Sequence, residues 1–270
     1  MVKLNSMRTF RQAGASARQF LGIAVTGVFL CGARAVLAAD TNAPTGSLES
    51  AYQQAHQQFQ ADTNNADIAW KLARASFDMS TLQKVPAAEA KYAEEGIAAA
   101  RRSLALNTNS APAHYYLGMD IGQLADTKRN LSALRMVKDM EREFTAARDL
   151  DKHFDYAGPD RNLGLLYRDA PSFGSVGSRS KARQHLEEAV SLAPEFPENR
   201  LNLLEVYLKW DYRPEAQKQF AELEKMWPAA QKQFTGAAWE TSWTDWNKRL
   251  DAVKKKMGKT AKPTEAPRSQ

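Results

Sequence analysis

A single cysteine, Cys31, occurs in the 270 residues, and it falls in a stretch that reads as a removable leader. A mature chain without it has no disulfide to staple it and no thiolate to bind metal. Histidine is scarce as well. His56, His114, His153 and His185 stand in no metal-binding spacing, and there is no HExxH. There is also no GxSxG elbow, no phosphate-cradling Gly-Lys-Ser run and no dinucleotide fingerprint. Adjacent carboxylates such as Glu94-Glu95 and Glu187-Glu188 have basic neighbours, as solvated helix faces do. Beyond the leader no window is apolar enough to cross a bilayer, which takes about 20 residues. These gaps predict a protein that is not an enzyme and carries no cofactor or metal.

The basic charge is misleading. Lysine and arginine number 37 against 31 acidic residues, a net of +6. Five of the basic residues (Lys3, Arg8, Arg11, Arg18, Arg34) lie in the first 38 positions, where no acid stands, so about +1 remains beyond them. From Lys248 to the end, eight basic residues face two acidic ones. The body between is left near −5, so nucleic acid is not an expected partner.

Residues 1–38 read as a secretory signal peptide: a basic head, a mostly apolar run from Phe20 to Cys31, and small residues around Ala38. An uncleaved anchor is the plain alternative. Lipidation at Cys31 fits poorly, because bulky Leu30 stands where a small residue is wanted. Export to the periplasm or the medium is the expectation, with no stable transmembrane anchor after cleavage. Residues 39–46 read as a linker, 47–258 as one helical domain and 259–270, which lack apolar residues, as a disordered tail.

Within the domain a pattern recurs. From Asp160, Leu163, Gly164 and Tyr167 share one helical stripe, and Ala182, Leu186 and Ala189 share another before Pro194. Two amphipathic helices with small residues at close approach make a hairpin. Equivalent units start at Trp70, His114 and Arg200, giving spacings of 44, 46 and 40. In order and spacing these residues resemble the tetratricopeptide repeat, whose period is about 34. The resemblance implies an all-α, TPR-like solenoid of about four helical hairpins. Leu48, Tyr52, Ala55 and Phe59 mark an N-terminal capping helix. Trp239, Trp243, Trp246, Leu250, Val253 and Met257 form one stripe on a C-terminal helix. That stripe fits a cap on the solenoid's open end, or association into an oligomer through Trp239, Trp243 and Trp246, or a membrane surface.

The same resemblance implies a binding groove along the leading helices, one, five and eight residues on from each starting position. This marks Lys71, Ala75 and Asp78, then Tyr115, Met119 and Gly122, then Arg161, Leu165 and Arg168, then Leu201, Glu205 and Leu208. The family's carboxylate clamp is not carried over, because Ala75 stands where it needs asparagine. Arg161 and Arg168 have Asp160 and Asp169 beside them, so ion pairing and ligand contact are both open. A long loop from Asp169 to Ser180, with Pro171, Phe173, Gly174 and Gly177, either drapes over its hairpin with Phe173 plugging a gap or acts as a lid or partner-contacting loop on the binding face.

The third hairpin is also similar to the T component associated with periplasmic TRAP transporters, on Gly158-Pro159, Leu163-Gly164, Tyr167, Ala170-Pro171, Gly177-Ser178, His185 and Leu192-Ala193-Pro194. That resemblance implies a solute-transport accessory with a small ligand in a helical cleft and a solute-binding subunit as partner. The main expectation is an exported scaffold that binds a protein or peptide partner in the cell envelope. An open groove of mixed charge favours the scaffold; an enclosed apolar cleft roofed by residues 169–180 favours the accessory.

Overall fold

The structure is a computed structural model that describes residues 44–128 and 131–259. The leader at 1–38 with Cys31, the first part of the linker and the tail from 260 lie outside the described residues. Ten α-helices and one short 3-10 turn follow in order, and no strand occurs among the described residues. They are α1 (Pro44–Ala61), α2 (Ala66–Leu82), α3 (Pro86–Leu106), α4 (Ala111–Thr127), α5 (Leu131–Leu150), α6 (Phe154–Asp169), α7 (Arg179–Leu192), α8 (Pro197–Lys209), α9 (Arg213–Gln233) and α10 (Glu240–Lys259). The four hairpins α2–α3, α4–α5, α6–α7 and α8–α9 match the four units of the sequence pattern.

Helix starts are written locally. The Asn65 side chain accepts from Asp67 N and Ile68 N to cap α2, and Ser110 and Ser178 cap α4 and α7. Pro86 and Pro197 sit in first turns, where a missing N–H leaves nothing unpaired. The first helix begins at Pro44, three residues before the expected Ser47.

The pattern residues are the core. Leu163, Leu166, Tyr167, Ala182, Leu186 and Ala189 are buried, as are Tyr207, Ala216 and Leu223. Two Leu-Gly pairs, Leu117-Gly118 on α4 and Leu163-Gly164 on α6, show why glycine is needed there. A Cβ on Gly118 would lie 2.7 Å from the Phe144 ring of α5, and one on Gly164 would lie 2.6 Å from Leu186 of α7. The second and third hairpins thus each close at a point where one helix lays a large side chain on the other's bare backbone.

The second helix of the fourth hairpin, α9, runs on to Gln233 with Pro228 inside it. The interior proline costs a hydrogen bond, and burial of Trp227, Ala230 and Phe234 around it offsets that loss. The tryptophan stripe of α10 turns inward. Trp239 and Trp246 are fully buried against Phe196 and Phe234, while Trp243 packs edge-on to Trp227. The stripe is therefore the cap, and oligomerisation through Trp239, Trp243 and Trp246 is corrected: two of the three rings are already covered by this chain.

Candidate functional site

The predicted groove residues divide sharply. Lys71 is exposed on α2, its ammonium 5.7 Å from the Trp70 ring centre. Glu205 and Leu208 are half-buried on α8. Tyr115, Met119, Arg161, Leu165 and Leu201 are buried and so do not line an open groove. What covers them is visible at both ends. The ring of Phe154, where α6 begins, packs against Tyr115 with centroids 5.1 Å apart. At the far end, α10 lies on α8, where Arg249 donates to Asn202 and Glu205.

Arg161 is the hub of a buried polar network that the sequence did not announce. It donates to the Asp155 carboxylate at 2.5 Å, to the Asp155 and Tyr156 carbonyls at 3.1 and 3.2 Å, and to Asn199 Oδ1 at 3.1 Å. Tyr115 OH donates to the same Asp155 oxygen at 2.6 Å and accepts from Asn162 Nδ2 at 3.0 Å. Burial pushes the guanidinium's pKa down most strongly, but the Asp155 charge, together with Tyr115 and Glu198, holds the pKa above its ordinary value.

The network fixes an unusual piece of backbone. Asp155, Tyr156 and Ala157 are all left-handed, with φ of 50°, 55° and 60°. For non-glycine residues this costs roughly 1–2 kcal/mol each. Residues 155–157 therefore form a left-handed turn held by Arg161 and by Asn199, whose amide donates to Tyr156 O at 2.9 Å. It ties the second, third and fourth hairpins together.

Of the two arginines, Arg168 pairs with its neighbour Asp169 at 2.5 Å, one of the openings the sequence left. Arg161 reaches back to Asp155 instead of Asp160. Asp160 is itself buried, accepting from Arg148 at 2.9 Å and bonded to His185 at 2.7 Å. A third buried carboxyl, Asp120, has no hydrogen-bond partner among the described residues, and neither does the Gln123 amide. Burial first, and then the Asp78 and Glu95 charges, hold Asp120 well above the usual carboxylate range.

The long loop runs from Ala170 to Ser178 and closes on itself: Gly177 N donates to Pro171 O at 3.1 Å and Ser178 N to Tyr167 O at 2.9 Å. Pro171 and Gly177 are half-buried at its base, Gly174 is exposed with φ +73°, and Phe173 is 97% exposed. Phe173 therefore plugs no gap, and that reading is corrected. A Cβ on Gly177 would come 2.1 Å from Ala170 O, so a bare backbone is what lets the loop shut.

Among the described residues no group of three or more His, Cys, Asp or Glu could hold a metal ion, and no helix is long and apolar enough to cross a membrane.

The family profile described as RMD1-3, Regulator of microtubule dynamics protein 1-3, matches residues 36–156, somewhat under half of the chain, ending inside the left-handed turn. No curated protein matches. Among solved structures, a thermophilic TPR protein of Thermus thermophilus, TTC0263, is similar with a TM-score of 0.57 at 16% identity, over 77% of this chain and 91% of that one. The MamA RS-1 ArsTM double mutant is similar with a TM-score of 0.50 at 15% identity, over 70% and 89%. A crystal structure of MamA has a TM-score of 0.46 at 23% identity, over 68% and 91%. The first of these shows the fold: the chain is an all-α, TPR-like solenoid. The resemblance to the transporter T component finds no support in these comparisons.

Proposed function

We propose that this protein is an exported, non-catalytic scaffold that holds a protein or peptide partner in the cell envelope. The observation that carries the reading is the stacking of four hairpins into a TPR-like solenoid. Such a stack gives a rigid frame with long exposed edges and loops, which suits it to grip another chain. The basic head and apolar run of residues 1–38 support export. The competing accessory role needs an enclosed apolar cleft beneath residues 169–180. With Phe173 in solvent and the loop closed upon itself, nothing favours that role.

The test is affinity purification of the tagged full-length protein from the envelope fraction, followed by mass spectrometry and N-terminal sequencing. The expected result is a chain cleaved near Ala38 that retains a protein in stoichiometric amount. A chain confined to the cytoplasm, or one recovered alone, would overturn the proposal.

A further inference from the structure

We propose that one edge of the solenoid, built from the 170–178 loop, the start of α7, the end of α8 and the start of α9, docks an acidic peptide segment bearing an aromatic or large apolar residue. This rests on the scaffold reading and adds where the partner is held and what chemistry it has.

The edge is continuous. The ends of α6 and α8 meet where Lys209 Nζ lies 3.8 Å from Asp169 Oδ1. Beside them, Arg179 and Arg183, one helical turn apart on α7, lie on aromatic faces of the fourth hairpin, and Lys181, turned the other way, lies on Tyr167. The Arg179 guanidinium is 5.7 Å from the Trp210 ring centre, Arg183 is 5.7 Å from both Tyr207 and Tyr212, and Lys181 is 4.8 Å from Tyr167. A guanidinium lying on a ring can keep N–H groups directed away from it, available to carboxylates. The carboxylates nearby are already engaged. Asp169 holds Arg168 and Lys209, Glu187 holds Arg183 and accepts from Tyr207, Asp211 holds Arg213, and Glu141 accepts from Tyr167 and faces Lys181. Arg179 is exposed and pairs with no carboxylate among the described residues.

Phe173 stands six positions before Arg179, in the loop that leads into it. That loop is shut by two backbone hydrogen bonds, yet it presents its largest side chain almost wholly to water. Arginine and aromatic residues together are what the energetic centres of protein interfaces are made of. The free cation selects an acidic segment, and Phe173 with Trp210 selects an apolar residue within it.

Fluorescence anisotropy on the full-length protein tests this. The probe is a fluorescein-labelled octapeptide of six glutamates and two phenylalanines, compared with its lysine counterpart and with phosphatidylglycerol vesicles. The acidic peptide should bind and the lysine peptide should not. Arg179→Glu should weaken binding about tenfold and Phe173→Ala about fivefold, with unchanged melting temperatures, because neither side chain supports the core. Absent binding, equal binding of the lysine peptide, indifference to both substitutions, or binding to vesicles alone overturns the assignment. If the Phe173→Ala/Arg179→Glu double variant retains the envelope partner as fully as the parent does, this edge is wrong and the scaffold reading stands. If the parent itself captures none, the scaffold reading is what fails.

Discussion

Arg161 and Asp155 meet at 2.5 Å, both shut away from solvent, across three consecutive left-handed residues. Each half of that pair would be costly alone, because a buried charge without its counterion loses hydration and gains nothing. Asp155→Asn keeps a residue that tolerates the left-handed region but removes the charge. It should destabilise the protein by about 3–5 kcal/mol in urea unfolding. Adding Arg161→Met should recover much of that loss, since the orphaned guanidinium is then gone. An additive double variant would contradict the coupling.

Asp120 predicts an opposite sign. Its carboxyl pKa is raised in the fold, so between the ordinary carboxylate value of about 4 and its folded value the native state binds more protons. Stability contributed here falls as pH rises through that window and is flat above it. Asp120→Asn mimics the neutral acid and should raise the melting temperature at pH 7 with little effect near pH 3. A lower melting temperature at neutral pH would mean that the carboxylate is stabilising after all.

His114 gives the ordinary histidine case. Its hydrogen bond to Glu143 at 2.6 Å raises the imidazole's pKa against the opposing effect of burial. The folded state therefore binds the extra proton above about 6.5, the ordinary imidazole value. The stability it adds is complete below that point and is lost as pH rises through the raised value. Melting curves from pH 5.5 to 8.5 should show a decline that Glu143→Gln removes, and an unchanged slope in that variant would contradict the assignment.

Gly118 is set against the Phe144 ring with no room for a methyl group, the clash distance being 2.7 Å. Gly118→Ala should cost about 1–3 kcal/mol despite alanine's better helix propensity. A neutral or stabilising result in chemical unfolding would show that α4 and α5 do not approach so closely.

The repeat pattern carried most of the fold because it is a packing rule. Leu163, Tyr167, Ala182 and Leu186 recur at helical spacing, and the same spacing puts them into one core. The groove transferred poorly for a different reason. The positions one and five residues along a leading helix face inward in any such stack, but whether they see water depends on what lies over them. Here Phe154 covers Tyr115 and α10 lies on α8, contacts between residues 39 and 47 positions apart, beyond any local periodicity. Nothing in DYAGP marks the left-handed turn, because it lacks the glycine run that would favour such a conformation. Arg179 on Trp210 was invisible for a like reason, since a cation–ring contact between hairpins leaves no spacing to read.

In-cell photo-crosslinking bears most directly on the claim that this chain works by holding another. Benzoylphenylalanine would be placed at exposed positions 71, 173 and 209 of the full-length protein, with position 85 as a control. A discrete adduct of one protein from position 173 or 209, and none from 85, is the predicted result. No adduct from positions 71, 173 and 209 alike would contradict the partner-holding role altogether.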